Sequence, residues 1–218
     1  MCSLDSIKEG AETARAAFGD VTILINNAGV VTGKNTLDLT EAEIDRTMQV
    51  NCISHLHTIR EFLPGMKSQK RGHIVTIASM VGLVAAPAVS DYCASKFGAV
   101  GLDETMRFEL RNQGLHSFIK TTCIMPYIID TGMFDGATTA FPFYRLQPDE
   151  VAKRVVDAIG QEEATVVIPW RGNVAYITHL FPIEMNDFTS NLLGANDAMD
   201  TFTGRKDKRM PGLTDIQN

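Results

Sequence analysis

"VTILINNAG", residues 21–29, opens as a β-branched apolar run and ends in small polar residues. Ile23, Leu24 and Ile25 are consecutive rather than alternate, so the run predicts a strand covered on both faces that enters a tight loop. Three further runs share this form: "GHIVTIAS" (72–79), "FIKTTCIMP" (118–126) and "ATVVIP" (164–169). Helical patterns separate them. Thr40 with Glu43 three residues later forms a capping box. Beyond it Ile44, Met48, Cys52, Leu56, Ile59 and Leu63 recur every three or four residues, predicting one apolar face that Pro64 and Gly65 end. Residues 91–111 read as a second long helix. "QPDEVAKRVVDAIG" (147–160) reads as a third, with Pro148 in its first turn and Gly160 at its end. Strands alternating with helices predict an α/β fold, a doubly wound parallel sheet of Rossmann type, in one domain over residues 1–218.

The bulk numbers agree with that reading. A chain of 218 residues, 44% hydrophobic and 21% charged, is one globular domain that buries roughly 70% of its unfolded surface. Net charge is -6, and the basic cluster at 205–209 is too short for a nucleic-acid stripe, so no nucleic-acid partner is expected. Cys2, Cys52, Cys93 and Cys123 lack C-x-x-C spacing and read as reduced thiols. His55 and His57 are two residues apart, which is no usual metal spacing. The opening "MCSLDSIKEG" is polar, predicting no signal peptide, and no stretch reaches about 18 consecutive apolar residues.

In parallel sheets, sites gather at the carboxyl ends of strands. Those ends read Asn26-Asn27-Ala28-Gly29, Ala78-Ser79, Pro126-Tyr127 and Pro169-Trp170. Nearby, "SDYCASKFGAV" (90–100) places Tyr92 and Lys96 four apart, about 5–6 Å between β-carbons on one helix face. A phenol titrates near 10, and a neighbouring ammonium lowers that value toward useful acid–base range. The plainer alternative is a packed Tyr and a snorkelling Lys. Ser79 either holds a substrate oxygen beside the phenol or is an ordinary loop Ser. Asn51 lies on the apolar helix face and needs partners: a catalytic relay, a water network or a backbone bridge. His55, one turn on, reads as a core histidine. Asn27, Ala28 and Gly29 form a turn that lets a planar or phosphorylated ligand approach the backbone.

Taken together, "NNAG", Asn51, Ser79, "YCASK" and "PYIIDTGMF", in this order and spacing, resemble the short-chain dehydrogenase/reductase family. "GDVTILINNAG", "HIVTIAS", "SDYCASKFGAVG", "IKTTCIMP", "DTGMF" and "AMDTFTG" resemble more narrowly its retinol dehydrogenase and 17-beta-hydroxysteroid dehydrogenase subgroup. The resemblance implies oxidation or reduction of hydrophobic alcohols and ketones (retinoid, steroid or long-chain) with NAD or NADP. It implies Tyr92 as proton donor and acceptor, Lys96 as the group that lowers its pKa and binds the nicotinamide ribose, Ser79 as substrate orienter and Asn51 as holder of a linking water. Asn27, Ala28 and Gly29 would line the adenosine side, Ile129 would meet the carboxamide, and Thr131 would stand near the pyrophosphate or amide. Tyr127 stands where the family usually has Gly. The subgroup's place is the endoplasmic reticulum or lipid-droplet surface, and cytosolic if a missing N-terminus carried the anchor.

The family's opening T-G-x-x-x-G-x-G turn occurs nowhere in this chain. The expectation is therefore a domain truncated at its N-terminus, without the first βαβ strands and without the amides that cradle a pyrophosphate. The strand at 21–27 would then be an edge, apolar on both faces. Two readings follow: a truncated product of an active enzyme's gene, or a non-catalytic paralogue or isoform acting as a binding or regulatory protein. Residues 134–145, "FDGATTAFPFYR", are either a lid over an apolar substrate or a loop packing Phe141, Phe143 and Tyr144 on the core. The aromatic, sparsely charged stretch "VVIPWRGNVAYITHLFPIEMNDFTSNLL" (166–193) is a candidate for membrane or lipid-droplet contact, for a homodimer interface, or for covering the sheet.

Overall fold

The computed structural model describes residues 4–178 and 180–205. Cys2 and most of the basic cluster at 205–209 lie outside the described residues. Four parallel strands, β1 (Ile23–Asn26), β2 (Gly72–Ile77), β3 (Ile119–Pro126) and β4 (Thr165–Ile168), pair in the order β1-β2-β3-β4. In the register Ile25 stands beside Val75, Thr76 beside Cys123 and Pro126 beside Ile168. α1 (Leu4–Phe18) leads into β1, and α2 (Glu41–Met48) and α3 (Ser54–Gln69) connect β1 to β2. α4 (Ser90–Asn112) connects β2 to β3, and α5 (Pro148–Gly160) connects β3 to β4. The short α6 (Ala175–Thr178) and α7 (Ile183–Leu192) follow.

Alternate strand residues serve the two faces. Leu24, Ile74 and Ile119 pack with Ile59 and Met66 of α3 and Met106 and Leu110 of α4. Val75, Ile124, Val166 and Ile168 pack with Val151, Val155 and Ala158 of α5. The sheet is doubly wound. The strand order keeps advancing while the covering helix changes face, so the β3–α5–β4 crossover has the opposite hand from the two before it. The excursion between Pro126 and Pro148 supplies the chain to pass round the sheet, against the usual right-handed preference.

β1 is the edge expected of it. Leu24 is buried at 9%, whereas Ile23 and Ile25 are 49% and 48% exposed. The α3 face of the strand is covered. The α5 face is open, because α5 packs against β3 and its neighbours.

Two sequence expectations change. The capping box forms, with Thr40 N–H donating to Glu43 and Glu43 N–H to Thr40 Oγ1. Pro64 and Gly65, however, do not end the helix: α3 runs through Pro64 to Gln69 and stops at Lys70, which is left-handed (φ 50). Met66 is fully buried and lies on Gly72, where even a β-carbon would be 2.7 Å from its sulfur. That contact outweighs the one backbone bond a proline forfeits. The buried face also differs. Between α2 and α3 the chain takes a π-helical turn, Gln49–Ile53. The buried residues are Thr47, Val50, Asn51, Ser54, His55, Ile59 and Met66, while Ile44 and Leu56 are exposed. An apolar stripe counted at 3.6 residues misses a widened turn and a helix whose inner face is largely polar.

Candidate active site

Four elements converge beyond the carboxyl ends of the strands. α4 begins there, so Tyr92 sits in its first turn and Lys96 one turn deeper, 5% and 3% exposed. Lys96 Nζ lies 5.6 Å from the Tyr92 ring centroid and donates to the Ile77 carbonyl at 2.8 Å, at the end of β2. Ser79, two residues further on, is extended, and its Oγ accepts from Val81 N–H at 3.3 Å. Its hydroxyl donates to the Pro126 carbonyl at 3.4 Å and stands close enough to the Tyr92 phenol to act on its titration. The backbone at Gly29 faces the amine: a β-carbon there would stand 3.7 Å from Lys96 Nζ and 3.6 Å from Asn51 Oδ1.

Asn51 occupies the π-helical turn and is fully buried. Its Oδ1 accepts from Val30 N–H at 2.8 Å, and its Nδ2 donates to the Val30 carbonyl at 2.9 Å and to Ser95 Oγ at 3.0 Å. Of the partners left open for this Asn, a backbone bridge is present. Ser95 in turn donates to the Tyr92 carbonyl at 2.7 Å. A second buried link runs parallel: Thr47 donates to Asp91 at 2.7 Å. These bonds fix the loop after β1 against the helix that carries Tyr92. Asn27 is exposed, Ala28 and Gly29 are half-buried, and Thr131 is exposed, so Asn27 and Thr131 stand at the rim. Ile129 forms a lone parallel bridge with Leu146, which holds the loop after β3.

The electrostatics depart from expectation. Burial pushes the Tyr92 phenol above its ordinary range, and the neighbouring Ser79 hydroxyl only partly offsets this. The Lys96 ammonium is turned to the Ile77 carbonyl and stands beside the phenol ring. Burial also lowers Lys96 itself, to about 8. His55 is 1% exposed, is held to about 4 chiefly by burial, and has neither ring nitrogen paired among the described residues. It is a neutral core histidine. Among the described residues no group of three His, Cys, Asp or Glu is placed to hold a metal.

An apolar cover lies over the phenol. Phe134 meets Tyr92 edge-on at 5.6 Å between centroids, and Phe202 meets Phe134 at 6.3 Å. Met199 and Ala137 complete the cluster. Residues 198–205 strap this cover down: Thr203 N–H donates to the Asp135 carbonyl, and Arg205 donates to the Thr131 carbonyl at 2.7 Å. Between the two readings of 134–145 the structure divides the aromatics. Phe143 packs on Tyr127 at 5.0 Å, while Phe141 and Tyr144 are 73% and 51% exposed. Tyr127 also accepts from Ala140 N–H at 2.9 Å, so the aromatic in place of a glycine pins this segment. Sequence reasoning missed Thr47, Asp91, Ser95, Phe134 and Met199 as site residues. Spacing held a signal for two of them: Thr47 is four before Asn51, and Ser95 three after Tyr92.

Comparison with known proteins accords with this geometry. Residues 1–140 match the family model described as short chain dehydrogenase. The chain is 38% identical over 201 residues to epidermal retinol dehydrogenase 2 of Mus musculus, covering 91% of this chain and 65% of that protein. Retinol dehydrogenase 10 of Homo sapiens is 39% identical over 201 residues, covering 90% of this chain and 59% of the relative. The chain thus spans less than two thirds of the length of these relatives. Among solved structures, an alcohol dehydrogenase of the archaeon Thermococcus sibiricus, complexed with 5-hydroxy-NADP, superposes with a TM-score of 0.64 at 25% identity, covering 76% of this chain and 68% of that one. A short-chain dehydrogenase of Streptomyces avermitilis reaches a TM-score of 0.70 at 20% identity, over 88% and 76% of the two chains, and shares the fold. The chain belongs to the short-chain dehydrogenase family.

Proposed function

We propose that the protein carrying this chain is an NAD(P)-dependent oxidoreductase acting on the CH–OH group of a hydrophobic alcohol or ketone, of retinoid, steroid or long-chain type. The observation that carries the reading is the convergence of Tyr92, Ser79 and Lys96 under an apolar cover of Phe134, Met199 and Phe202. A phenol with a hydroxyl beside it is suited to grip one substrate oxygen. The apolar cover suits the body of a hydrophobic molecule and excludes water from the proton transfer.

The residues present fit the nicotinamide-ribose half of a dinucleotide. Lys96 Nζ and the side-chain-free backbone at Gly29 face one another, a place for ribose hydroxyls. Asn27 and Ala28 would flank the adenosine side, with Ile129 and Thr131 closing over the other. A bound nicotinamide supplies or accepts the hydride. Ser79 orients the substrate oxygen, and Tyr92 gives or takes the proton there. Lys96 places positive charge beside the phenol, and Asn51 would hold a water that links that amine to solvent. Because burial raises the Tyr92 pKa, the phenol is protonated at neutral pH and is ready to donate during reduction. Oxidation needs the proton removed and gains as pH rises.

A titration with NADH and NADPH, followed by nicotinamide fluorescence, tests the cofactor half of this reading. No binding at about millimolar cofactor, well above ordinary affinities, would leave the chain a binding or regulatory protein. Turnover of retinol or estradiol surviving Tyr92→Phe would remove the catalytic assignment.

A further inference from the structure

Residues 198–205, "AMDTFTGR", contribute no reacting group, yet they bridge two loops on either side of the phenol. On one side this strap is tied by polar bonds. The Ala198 carbonyl accepts from Thr138 N–H, and the Asp135 carbonyl accepts from Thr203 and Gly204 N–H. Thr201 Oγ1 donates to the Gly136 carbonyl, and Arg205 to the Thr131 carbonyl. On the other side the strap rests through one ring. Phe202 lies on Gly33 of the loop after β1, where a β-carbon would stand 2.1 Å from the ring. Gly33 is left-handed at φ 72, so glycine alone both turns the chain there and seats the ring without strain. Among the described residues no hydrogen bond joins 198–205 to residues 29–36.

We infer that Phe202 decides which molecules reach Tyr92: its ring shuts the approach from the Gly33 side, and a substrate enters by unseating it. Three observations lead there. First, Tyr92 is 5% exposed and Lys96 3%, so a substrate oxygen meets the phenol only if part of the cover moves. Second, the rest of the cover is held by polar bonds. The Phe134 carbonyl accepts from Arg145, and Ala140 N–H donates to Tyr127. The seat on Gly33 has van der Waals contact alone, each atom pair of which is weak. The cover therefore gives way at Phe202 first. Third, Val31 and Phe202 pack in the same cluster as Tyr92. Val31 also lines a cavity of about 200 Å³ with Val30, Thr32 and Thr47. One residue thus belongs both to the apolar cluster around the phenol and to the wall of a cavity, which gives the incoming molecule a place to wait. The gate stands on the cover alone; that the admitted molecule is an alcohol or ketone rests on the oxidoreductase reading.

Nitration by tetranitromethane, mapped on the full chain by peptide mass spectrometry, reads the gate with neither cofactor nor substrate. In the parent, Tyr92 should react far more slowly than Tyr144, which is 51% exposed. Phe202→Ala should speed Tyr92 nitration at least about tenfold, because an open form that is about a tenth or less of the population becomes the main one. Tyr127, pinned through Ala140, should keep its rate. Phe202→Leu refills the seat and should stay close to the parent, whereas Gly33→Ala pushes the ring away and should act like Phe202→Ala. Unchanged Tyr92 nitration in Phe202→Ala overturns the inference. So does equal acceleration at Tyr127, which would mean general loosening rather than a gate. In turnover, Phe202→Ala should raise the ratio of kcat/KM for estradiol to that for 1-butanol about tenfold; an unchanged ratio removes the role in specificity. Faster Tyr92 nitration in a chain that turns over neither alcohol would support the gate and remove the oxidoreductase reading, so the two failures are told apart.

Discussion

Two regions break the rule of apolar inside and polar outside, in opposite senses. Where α2, the π-helical turn and α4 meet, Thr47, Asn51, Asp91, Ser95 and Lys96 are all buried. At α7, Met185, Phe188 and Leu192 are all exposed. The first exception is largely closed within the chain: the Asn51 carboxamide, Ser95 and Thr47 have partners, and Lys96 has the Ile77 carbonyl. The second is not closed by anything in the described residues. A polar interior that satisfies itself holds a site rigid. An apolar exterior points to something outside the chain.

The sharpest break of the first region is at its reacting end. Tyr92→Phe keeps the ring against Phe134 and removes only the hydroxyl. Turnover should fall by roughly 10²–10⁴-fold, the usual reach of general acid–base catalysis, while cofactor binding is retained in the fluorescence titration. A fall in both would mean that the phenol serves structure rather than proton transfer.

Next in size is Asn51→Leu, which tests whether the buried bonds hold the site together. The Val30 N–H, the Val30 carbonyl and Ser95 would each lose a partner. An unsatisfied buried group costs about 1–3 kcal/mol, so unfolding free energy should drop by roughly 3–5 kcal/mol in a urea titration. A drop below about 1 kcal/mol would show that water replaces the side chain readily and that the network is not a framework.

Much of this molecule was legible in its sequence because periodicity and spacing are local. Four strands, the capping box, Pro148 opening α5 and the Tyr92–Lys96 pairing all follow from neighbours within a turn or a strand. The open edge at β1 followed from the missing glycine-rich turn. What stayed hidden depends on distant partners. Met66 against Gly72 carries α3 past Pro64, and no local rule holds that contact. The π-helical turn shifts which face of the helix is inward, so Ile44 and Leu56 pointed the wrong way. The rise of the Tyr92 pKa comes from burial, to which Phe134 and Met199, distant in sequence, contribute.

Smaller still is the pH effect of Asp103, a carboxyl 3% exposed on α4 beneath the polar layer. Burial raises its pKa to about 7, against the influence of the neighbouring Thr76 hydroxyl and the charge of Arg107, while Glu104 adds to the rise. A carboxyl raised above its unfolded value binds more protons in the folded state. Its contribution is therefore intact below about pH 4 and is lost as pH rises toward 7. Asp103→Asn removes that loss without removing the shape. Relative to the parent, the variant should gain roughly 2–4 kcal/mol at about pH 8 and much less near pH 5, where the parent carboxyl is already protonated. Parallel stability curves for the two proteins across this range would show that Asp103 is ionised throughout.

The smallest effect separates the two regions most cleanly. Phe188 is 68% exposed and belongs to a helix that buries nothing. If its exposed apolar side chains contribute nothing to the fold, Phe188→Ser should move the unfolding free energy by no more than about 0.5 kcal/mol, as for an ordinary surface position. Deleting a buried phenylalanine side chain costs about 3–5 kcal/mol, so the two cases are easily told apart by thermal or urea unfolding. A large loss would mean that Phe188 is covered within the protein itself, and the contrast drawn between a self-satisfied interior and an unpartnered exterior would fail at α7. A negligible loss leaves a residue of strong apolar character that the fold does not use.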